Sequence, residues 1–437
     1  MQDRTASSAE SPESSEPADL TEAAPQPERA EPYPYWRRNM VSLFVANMML
    51  TCGFASASPY LPLILRELGF RGNLATSVGY TVGGFFVVSF FLTPMWGMVA
   101  DHYGRKPMVI RAGLGMGIVY MLLPFSTAPW MFMALYVAMG AFNGFVPSSL
   151  ALAATNTPVR KMGKALSQIQ TGALLGNTLG PVLGGLLAVI LPRYLDLYYV
   201  TGGFILGAGL MALIFTRERK DPPKGPFRLT IVRDLRHLVR IPALPTLFGL
   251  NFLFSFSFFG SIPVASVFML DMLQGGAAAG GNSEEFWMAA VAIAVAVPSA
   301  LGMPIWGRVL DRFEIHRVLA LAMFAGALGS IPTWLAQMPL HLTLARLTFG
   351  LLAGGIMPAL VTVMKQLAPP GMEARTMALG TSFGMLGMGA GPLLSGWIGP
   401  AFGLRTYFAI NSVLLFVGCL AWLRSGLRER REAPAAD

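Results

Sequence analysis

Long apolar runs recur along the whole chain and are separated by short polar or charged connections. A helix needs roughly 20 apolar residues to cross about 30 Å of hydrocarbon. Helices are expected because backbone polar groups in lipid must find partners within their own segment. The pattern therefore predicts an all-α integral membrane protein with twelve transmembrane helices. The predicted spans cover residues 41–65, 79–100, 107–126, 129–152, 165–191, 197–215, 243–269, 286–307, 318–336, 340–364, 376–398 and 404–423.

Composition agrees with a membrane protein and sets the N-terminal segment apart. Of the 437 residues, 54% are hydrophobic and 13% are charged, which lies outside the range of soluble domains. Residues 1–35 are rich in Ser, Ala, Pro and Glu and lack the basic start and apolar core of a secretory signal. We expect a disordered cytoplasmic tail that is not cleaved. Cys52 and Cys419 fall within spans 1 and 12 and are interpreted as small core residues.

Positive charge is distributed unevenly between alternate connections. If residues 1–35 are cytoplasmic, the later segments on that side carry twenty-five Lys and Arg residues, and the opposite connections carry only Arg66, Arg71, Arg193 and Arg405. This bias follows the positive-inside rule and predicts that both termini are cytoplasmic. The net charge of +9 therefore reflects membrane topology, and no nucleic-acid partner is expected.

The chain contains an internal repeat with an offset of 210 or 211 residues. The stretch PMWGMVADHYGRKP, residues 94–107, has a fainter copy at residues 304–317 in which Pro, Trp, Gly, Val and Asp recur in register. At an offset of 211 residues, Gly144 and Pro147 match Gly355 and Pro358. Gly180 and Pro181 match Gly391 and Pro392 at the same offset. Three matches in register predict two homologous halves of six spans each.

Three motifs resemble signatures of the major facilitator superfamily. The connection after span 2 resembles its G-x-x-x-D-x-x-G-R-K signature, carried here by Gly97, Asp101, Gly104, Arg105 and Lys106. Span 5 resembles the antiporter signature G-x-x-x-G-P-x-x-G-G, carried here by Gly176, Gly180, Pro181, Gly184 and Gly185. Span 1 is similar to a further pattern of twelve-span drug antiporters, carried here by Gly53, Pro59 and Pro62. The resemblance covers about residues 37–425.

This resemblance implies the major facilitator fold, in which two homologous six-helix bundles rock about a central site. We expect residues 36–216 to form the N-terminal bundle and residues 243–424 the C-terminal bundle. Residues 217–242 would be a basic cytoplasmic linker, and residues 425–437 a cytoplasmic tail.

The charges of the loop signature are placed against the helix dipoles. Asp101 lies at the predicted C-terminal end of span 2, whereas Arg105 and Lys106 precede span 3. The placement is explained if Asp101 pairs with Arg105 or meets a helix N-terminus of the other half, which would latch the cytoplasmic side. The resemblance implies span 11 as that partner in the outward-facing state. The alternative is that the bases only set topology. The second copy retains Asp311 but lacks the glycine and arginine, so its latch is degraded.

Span 5 allows two interpretations of its glycines. The resemblance implies a bend at Pro181 that also seals the protein against proton leak. Small residues are also common wherever membrane helices pack closely, so simple packing is the alternative.

The predicted cavity lacks a buried carboxylate, because the twelve acids outside the two tails all lie in loops or at span ends. The resemblance implies a buried acid in the first half for proton coupling or cation binding, and none is present here. It also implies that spans 1, 4, 7 and 10 surround the cavity. Polar and aromatic residues that could line a neutral cavity, or merely pack, are Asn47, Thr51, Phe54, Ser58, Tyr136, Asn143, Asn251, Phe254, Ser255 and Phe258.

Arg346 in span 10 is the ionisable side chain that lies well inside a span. A charge at midplane costs roughly 2.5 to 3.5 kcal/mol on insertion scales, so its presence indicates a partner or a function. It could attract an anionic or zwitterionic group in the cavity, or it could be a structural residue that snorkels to the outer end. The resemblance implies such an arginine in span 4, where the repeat places Leu135 instead, which puts the proton-coupling role in doubt.

The sequence thus favours a secondary transporter that exports small amphiphilic or drug-like compounds by alternating access, driven by the proton gradient. A metabolite importer or facilitator of the same fold is the alternative within this class. A membrane-embedded enzyme is a weaker alternative, because the spans lack paired acids or a metal cluster, and direct use of ATP is not expected, because no G-x-x-x-x-G-K loop is present. A non-transporting sensor is also a weaker alternative, because the tails are too short and polar for a folded cytoplasmic domain. We expect a monomer in the cell membrane, with lipid and a small-molecule substrate as partners and no cofactor or bound metal.

Overall fold

The computed structural model describes residues 34–218, 236, 238–241, 243–275, 283–369 and 372–432. The predictions for residues 1–33 and for most of the linker lie outside these residues. Within them the chain forms fifteen α-helices and no β-strand. The helices are α1 (Trp36–Ala57), α2 (Leu61–Glu67), α3 (Leu74–Tyr103), α4 (Arg105–Leu122), α5 (Pro129–Met139), α6 (Phe145–Asn156), α7 (Val159–Ile190), α8 (Leu197–Phe215), α9 (Leu244–Gln274), α10 (Glu284–Arg312), α11 (Ile315–Leu335), α12 (Pro339–Ala353), α13 (Ile356–Leu367), α14 (Glu373–Phe402) and α15 (Leu404–Glu432).

These helices provide twelve spans that are long and apolar enough to cross a membrane, so the prediction of an all-α twelve-span protein is confirmed. Spans 1, 4 and 10 each consist of two consecutive helices, which are α1 with α2, α5 with α6, and α12 with α13. The other spans are single helices in chain order. Span 1 is interrupted by a 3-10 turn at Pro59, and span 4 by Gly144 in the left-handed region, with φ of 115°.

The two ends of the helix bundle can be distinguished by their connections. We call the end that holds the start of span 1 and the end of span 12 the terminal face, and the opposite end the far face. Spans 2 and 3 join at the terminal face through Gly104 alone, whose φ of 101° lets the chain reverse in one residue. Arg105 and Lys106 therefore belong to the first turn of α4, and the predicted loop is shorter than expected.

The internal repeat is visible as matching hydrogen bonds in the two halves. Spans 2 and 4 are tied by two side-chain bonds to backbone carbonyls, and the same two bonds recur 210 residues later between spans 8 and 10. The first-half bonds run from Ser89 Oγ to the Gly140 carbonyl (3.1 Å) and from Trp96 Nε1 to the Ala141 carbonyl (2.8 Å). Their counterparts run from Ser299 to Gly350 (3.0 Å) and from Trp306 to Leu351 (3.1 Å).

The halves meet tightly at the far face, where span 2 packs against span 11 through glycines. A Cβ on Gly79 would lie 2.5 Å from the Pro392 carbonyl oxygen and 2.8 Å from the Gly396 Cα. A Cβ on Gly83 would lie 2.5 Å from Leu393 Cγ. Since only residues without a side chain permit this distance, the far-face half of spans 2 and 11 forms a close seam.

The same helices separate toward the terminal face. Gly97 follows Gly79 by 18 residues, about five helical turns, and therefore points in the same direction. A Cβ on Gly97 would nevertheless meet no described atom within 4 Å. In span 8, Gly307 likewise follows Ala289 by 18 residues, and Ala289 faces span 5. A Cβ on Gly307 would also meet no described atom within 4 Å. Among the described residues, the two halves are therefore in close contact at the far face and separated at the terminal face.

Candidate functional site

A continuous chain of aromatic rings crosses the middle of the molecule from span 1 to span 10. Successive ring centroids are 5.0 to 6.2 Å apart, which is the range of favourable aromatic pairs. The chain runs through Phe54, Phe85, Phe86, Phe259, Phe258 and Phe349. Phe86 and Phe259 belong to different halves, so the chain passes from one bundle to the other. We call these six residues the aromatic layer.

The aromatic layer forms the inner end of the opening at the terminal face. Phe85 and Phe86 lie on span 2 between the close seam at Gly79 and the open stretch at Gly97. Phe54, Phe258 and Phe259 are only partly buried, whereas Phe85 and Phe86 are buried. The opening thus ends at an apolar surface that can contact the rings or alkyl groups of a compound entering from the terminal face.

In span 1, the predicted cavity residues Asn47 and Thr51 are engaged in packing. The Asn47 amide donates to Ser149 Oγ of span 4 at 2.9 Å, and Ser149 donates back to Asn47 Oδ1 at 3.2 Å. Thr51 Oγ1 donates to the Ala173 carbonyl of span 5 at 2.9 Å. Both side chains are buried, so in this state they tie span 1 to its neighbours. Ser58 is partly buried in the 3-10 turn.

The two predicted residues of span 4 have different contacts: Tyr136 packs against the aromatic layer, and Asn143 forms hydrogen bonds at a turn. The Tyr136 ring is buried with its centroid 6.0 Å from that of Phe85. The Asn143 amide donates to Ser89 Oγ at 3.2 Å, and its Oδ1 accepts from the Gly144 amide at 2.8 Å. Asn143 therefore stabilises the turn at Gly144, and the Tyr136 ring packs against Phe85 of the aromatic layer.

In span 7, Asn251 and Ser255 are buried against span 11. The Asn251 amide donates to the Gly380 carbonyl at 2.6 Å, and a Cβ on Gly384 would lie 3.3 Å from Ser255 Oγ. Phe254 is buried with its ring 5.7 Å from Phe258 of the aromatic layer. The prediction that these residues contact a substrate remains a prediction, and Phe258 is the one among them that belongs to the layer itself.

Arg346 is buried in the second half, with 3% of its surface exposed. Its guanidinium donates to Ser261 Oγ of span 7 at 3.0 Å and lies 5.3 Å from the centre of the Phe349 ring. Its Nε has no hydrogen-bond partner among the described residues. Arg346 thus places a positive charge beside the aromatic layer, at the end of the layer that belongs to span 10.

The loop signature is held by an acidic residue that the sequence analysis did not single out. The Glu218 carboxylate accepts from the backbone amides of Arg105 (2.7 Å) and Lys106 (2.9 Å), the first two residues of span 3. The helix N-terminus is the positive end of the helix dipole, so the positive charges of Arg105 and Lys106 are unfavourable there. The negative charge of Glu218 compensates both the dipole and these two bases. Glu218 is 113 residues away in sequence, so local spacing gives no signal for this contact.

The basic residues of the signature bond within the first half. Arg105 donates to the Ala151 carbonyl of span 4 at 3.1 Å, and Lys106 Nζ donates to the Thr216 carbonyl at the end of span 6 at 2.7 Å. The side chain of Asp101 lies outside the described residues, so its latch remains a prediction. Asp311 is exposed at the corresponding position of the second half.

The span 5 signature faces two different neighbours. A Cβ on Gly176, Gly180 or Gly184 would overlap atoms of span 1 in the same half, including Thr51 Oγ1 and the Ser56 carbonyl. A Cβ on Gly185 would instead lie 2.7 Å from the Cβ of Ala289 in span 8 of the other half. Pro181 lies inside α7, which continues without a break from Val159 to Ile190. Close packing is therefore what these glycines provide in this state.

Two carboxylates at the start of span 8 join the halves at the far face, a role that was not predicted from the sequence. Glu284 forms an ion pair of 2.9 Å with Arg66 at the end of span 1. Glu285 accepts a hydrogen bond from the hydroxyl of Tyr194, which lies at the start of span 6. The sequence signal for these acids is that of a helix start, since Ser283 caps the helix and acids favour its first turn.

Within the described ranges, no group of three His, Cys, Asp or Glu side chains could hold a metal ion. The described residues offer an apolar layer, the buried cation of Arg346 and contacts between two bundles. Its chemistry is that of binding and conformational change.

A family model described as Major Facilitator Superfamily matches residues 43–283 and 280–437. The chain is similar to multidrug resistance protein MdtG of Citrobacter koseri, with 30% identity over 406 residues that cover 92% of this chain and 98% of the relative. Its identity to MdtG of Escherichia coli is 29% over 405 residues, covering 91% and 96%.

Solved structures share the same fold. One is the human organic anion transporter MFSD10, with a TM-score of 0.67, 20% identity and coverage of 89% of this chain and 100% of that one. Another is a bacterial homologue of the human lysosomal transporter Spinster in an inward-facing, unoccupied conformation, with a TM-score of 0.72, 16% identity and coverage of 92% and 99%.

Proposed function

Because the chain belongs to the major facilitator superfamily, we propose that it is a secondary transporter that exports small amphiphilic or drug-like compounds by alternating access. The aromatic layer is the observation that carries this proposal. It crosses from one bundle to the other and closes the inner end of an opening at the terminal face. A compound bound against it contacts both bundles and is exposed to the other side when they rock.

The terminal face is the cytoplasmic face of the inner membrane in this proposal. The positive-inside distribution of Lys and Arg supports this orientation. The structure then corresponds to the inward-facing state, in which substrate enters the opening from the cytoplasm. The names of the similar MdtG proteins support multidrug export.

Substrate contacts divide between the aromatic layer and Arg346. The exposed parts of Phe54, Phe258 and Phe259 bind the apolar part of the substrate. Arg346, which lies beside Phe349 with an unpaired Nε among the described residues, attracts an anionic or zwitterionic group. Asn47, Thr51, Asn143 and Asn251 hold the helices that position the layer.

Proton antiport is the proposed energy source, with protons entering as the substrate leaves. The resemblance to drug antiporters supports this coupling. The acids outside the tails lie in loops or at span ends, so a coupling carboxylate would be found near one face and not at the centre.

Transport by inverted membrane vesicles tests the proposal. Vesicles with and without the protein are given an imposed pH gradient and a panel of cationic, neutral and anionic amphiphiles. We expect gradient-dependent accumulation in vesicles that contain the protein. Equal transport after the gradient is collapsed would exclude proton antiport. Uptake confined to right-side-out vesicles would favour the importer, which is the alternative function.

A further inference from the structure

The two halves are joined at the far face by two neighbouring polar contacts. Arg66 and Tyr194 belong to the first half and bind Glu284 and Glu285 of the second half. Glu284 and Glu285 are consecutive in the first turn of span 8. We infer that these four residues form a gate at the far face that must break and re-form in each transport cycle. This inference rests on the proposed alternating-access function.

The first-half members of the gate are fastened together. Glu67 follows Arg66, and its carboxylate accepts a hydrogen bond of 3.3 Å from the Leu195 amide, which follows Tyr194. The end of span 1 and the start of span 6 therefore move as one unit. Because each pair of gate residues is fixed within its own half, a rotation of one half against the other breaks both contacts together.

The composition of the gate suits a contact that opens and closes. Arg66 and Glu284 keep 43% and 34% of their side-chain surface exposed, so water can solvate both charges after separation. Glu284 and Glu285 also keep the favourable field of the helix N-terminus when their partners leave. The gate therefore stabilises the closed far face and still allows that face to open.

The gate lies beside the other contacts that close this face. The Tyr60 hydroxyl approaches the Glu285 carbonyl at 3.5 Å, and Thr76 Oγ1 donates to the Gly396 carbonyl at 2.8 Å between spans 2 and 11. Loss of the gate should consequently shift the population toward a far-open state while each half remains folded.

Spin-label distances in the full-length protein test this inference without a substrate. Cys52 and Cys419 are replaced by Ala, and labels are attached through Trp130→Cys in the first half and Leu340→Cys in the second. Both positions are exposed at the far face and outside the gate. We expect Arg66→Gln and Glu284→Gln each to raise the ratio of long to short distances about threefold to tenfold. Tyr194→Phe and Glu285→Gln should act in the same direction.

Two controls separate gating from general damage. The exchange of charges in Arg66→Glu with Glu284→Arg should move the ratio back toward the parent value, because the pair is restored even though the new cation is unfavourable at the helix N-terminus. Arg193→Gln removes an ion pair of 2.7 Å with Asp196 that lies at the same face but within one half. It should leave the distances unchanged.

The inference is wrong if Arg66→Gln and Glu284→Gln leave the distance distribution unchanged, or if Arg193→Gln shifts it equally. Vesicle transport is measured separately on the same variants. A gate that responds as expected in a protein that moves no compound would refute the proposed function and leave the gate in place.

Discussion

Gly79 of span 2 and Gly396 of span 11 face each other across the boundary between the halves, and a Cβ on Gly79 would lie 2.8 Å from the Cα of Gly396. We expect this approach only in the far-closed state, because opening the far face separates spans 2 and 11. Gly79→Ala should therefore destabilise that state alone, by about 1 to 3 kcal/mol for overpacking against backbone.

The measurement is the same far-face distance distribution, in which Gly79→Ala should increase the long-distance population. Gly203→Ala is a matched control, because its Cβ would meet only Met121 Cε at 3.8 Å. Unchanged distances in Gly79→Ala would show that the seam does not restrict opening.

Gly184 and Gly185 are neighbours in span 5 but should respond differently to substitution. Gly184→Ala places a Cβ against the Ser56 carbonyl within the first half, so it should lower the thermal unfolding temperature of the purified protein. Gly185→Ala meets Ala289 of the other half and should change the distance distribution more than the unfolding temperature. If Gly184→Ala slows turnover at unchanged stability, the bend at Pro181 is the better interpretation.

Glu218 should contribute to stability through its two bonds to the start of span 3. Glu218→Ala removes both acceptors and should lower the free energy of unfolding by about 1 to 2 kcal/mol. Glu218→Gln keeps one oxygen and should lose less. Thermal unfolding of the purified protein measures both. Equal stability of all three proteins would mean that water replaces the carboxylate at no cost.

Asp101 should matter for turnover more than for folding if it latches the terminal face in the other state. We expect Asp101→Asn to reduce the transport rate per molecule at least severalfold while protein abundance remains similar. Asp311→Asn, in the degraded second copy, should have a smaller effect. The readout is the transport rate divided by the amount of protein in the vesicles. Equal rates in both variants and the parent would contradict the latch.

Arg346 should determine the preference for charged substrates. A hydrogen bond to a charged group contributes roughly 1.5 to 3 kcal/mol, so Arg346→Gln should weaken transport of anionic amphiphiles by about tenfold or more and spare neutral ones. Ser261→Ala removes only the partner of the guanidinium and serves as control. A uniform loss of folded protein in Arg346→Gln would favour the structural role.

The sequence was sufficient for the fold because its signals are local. Each span is recognisable as an apolar run. The loop signature includes three consecutive residues, Gly104, Arg105 and Lys106. The family resemblance added the two-bundle architecture, which the repeat also predicted. Span interruptions at Pro59 and Gly144 were less visible, since both residues occur inside otherwise apolar segments.

The site was less predictable because its contacts join residues distant in sequence. The pairing of Arg66 with Glu284 spans 218 positions, and each residue alone reads as a charge at a span end. Phe86 and Phe259 likewise read as ordinary lipid-facing or core residues until the halves are brought together. Asn47 and Thr51 share one helical face as predicted, but periodicity alone could not distinguish a cavity from packing against spans 4 and 5.

The acceptors of the repeated bonds between spans 2 and 4 and between spans 8 and 10 are backbone carbonyls. Trp96 binds the oxygen of Ala141, and Trp306 binds that of Leu351, so the bond persists although the acceptor residues differ. Any amino acid supplies the same oxygen. After a duplication, the two copies could therefore diverge at the acceptor of the tryptophan bond without loosening either bundle, whereas Gly140 and Gly350 stay glycine because a Cβ there would overlap the backbone of the neighbouring span. Sequence divergence between the halves is then a poor measure of mechanical divergence.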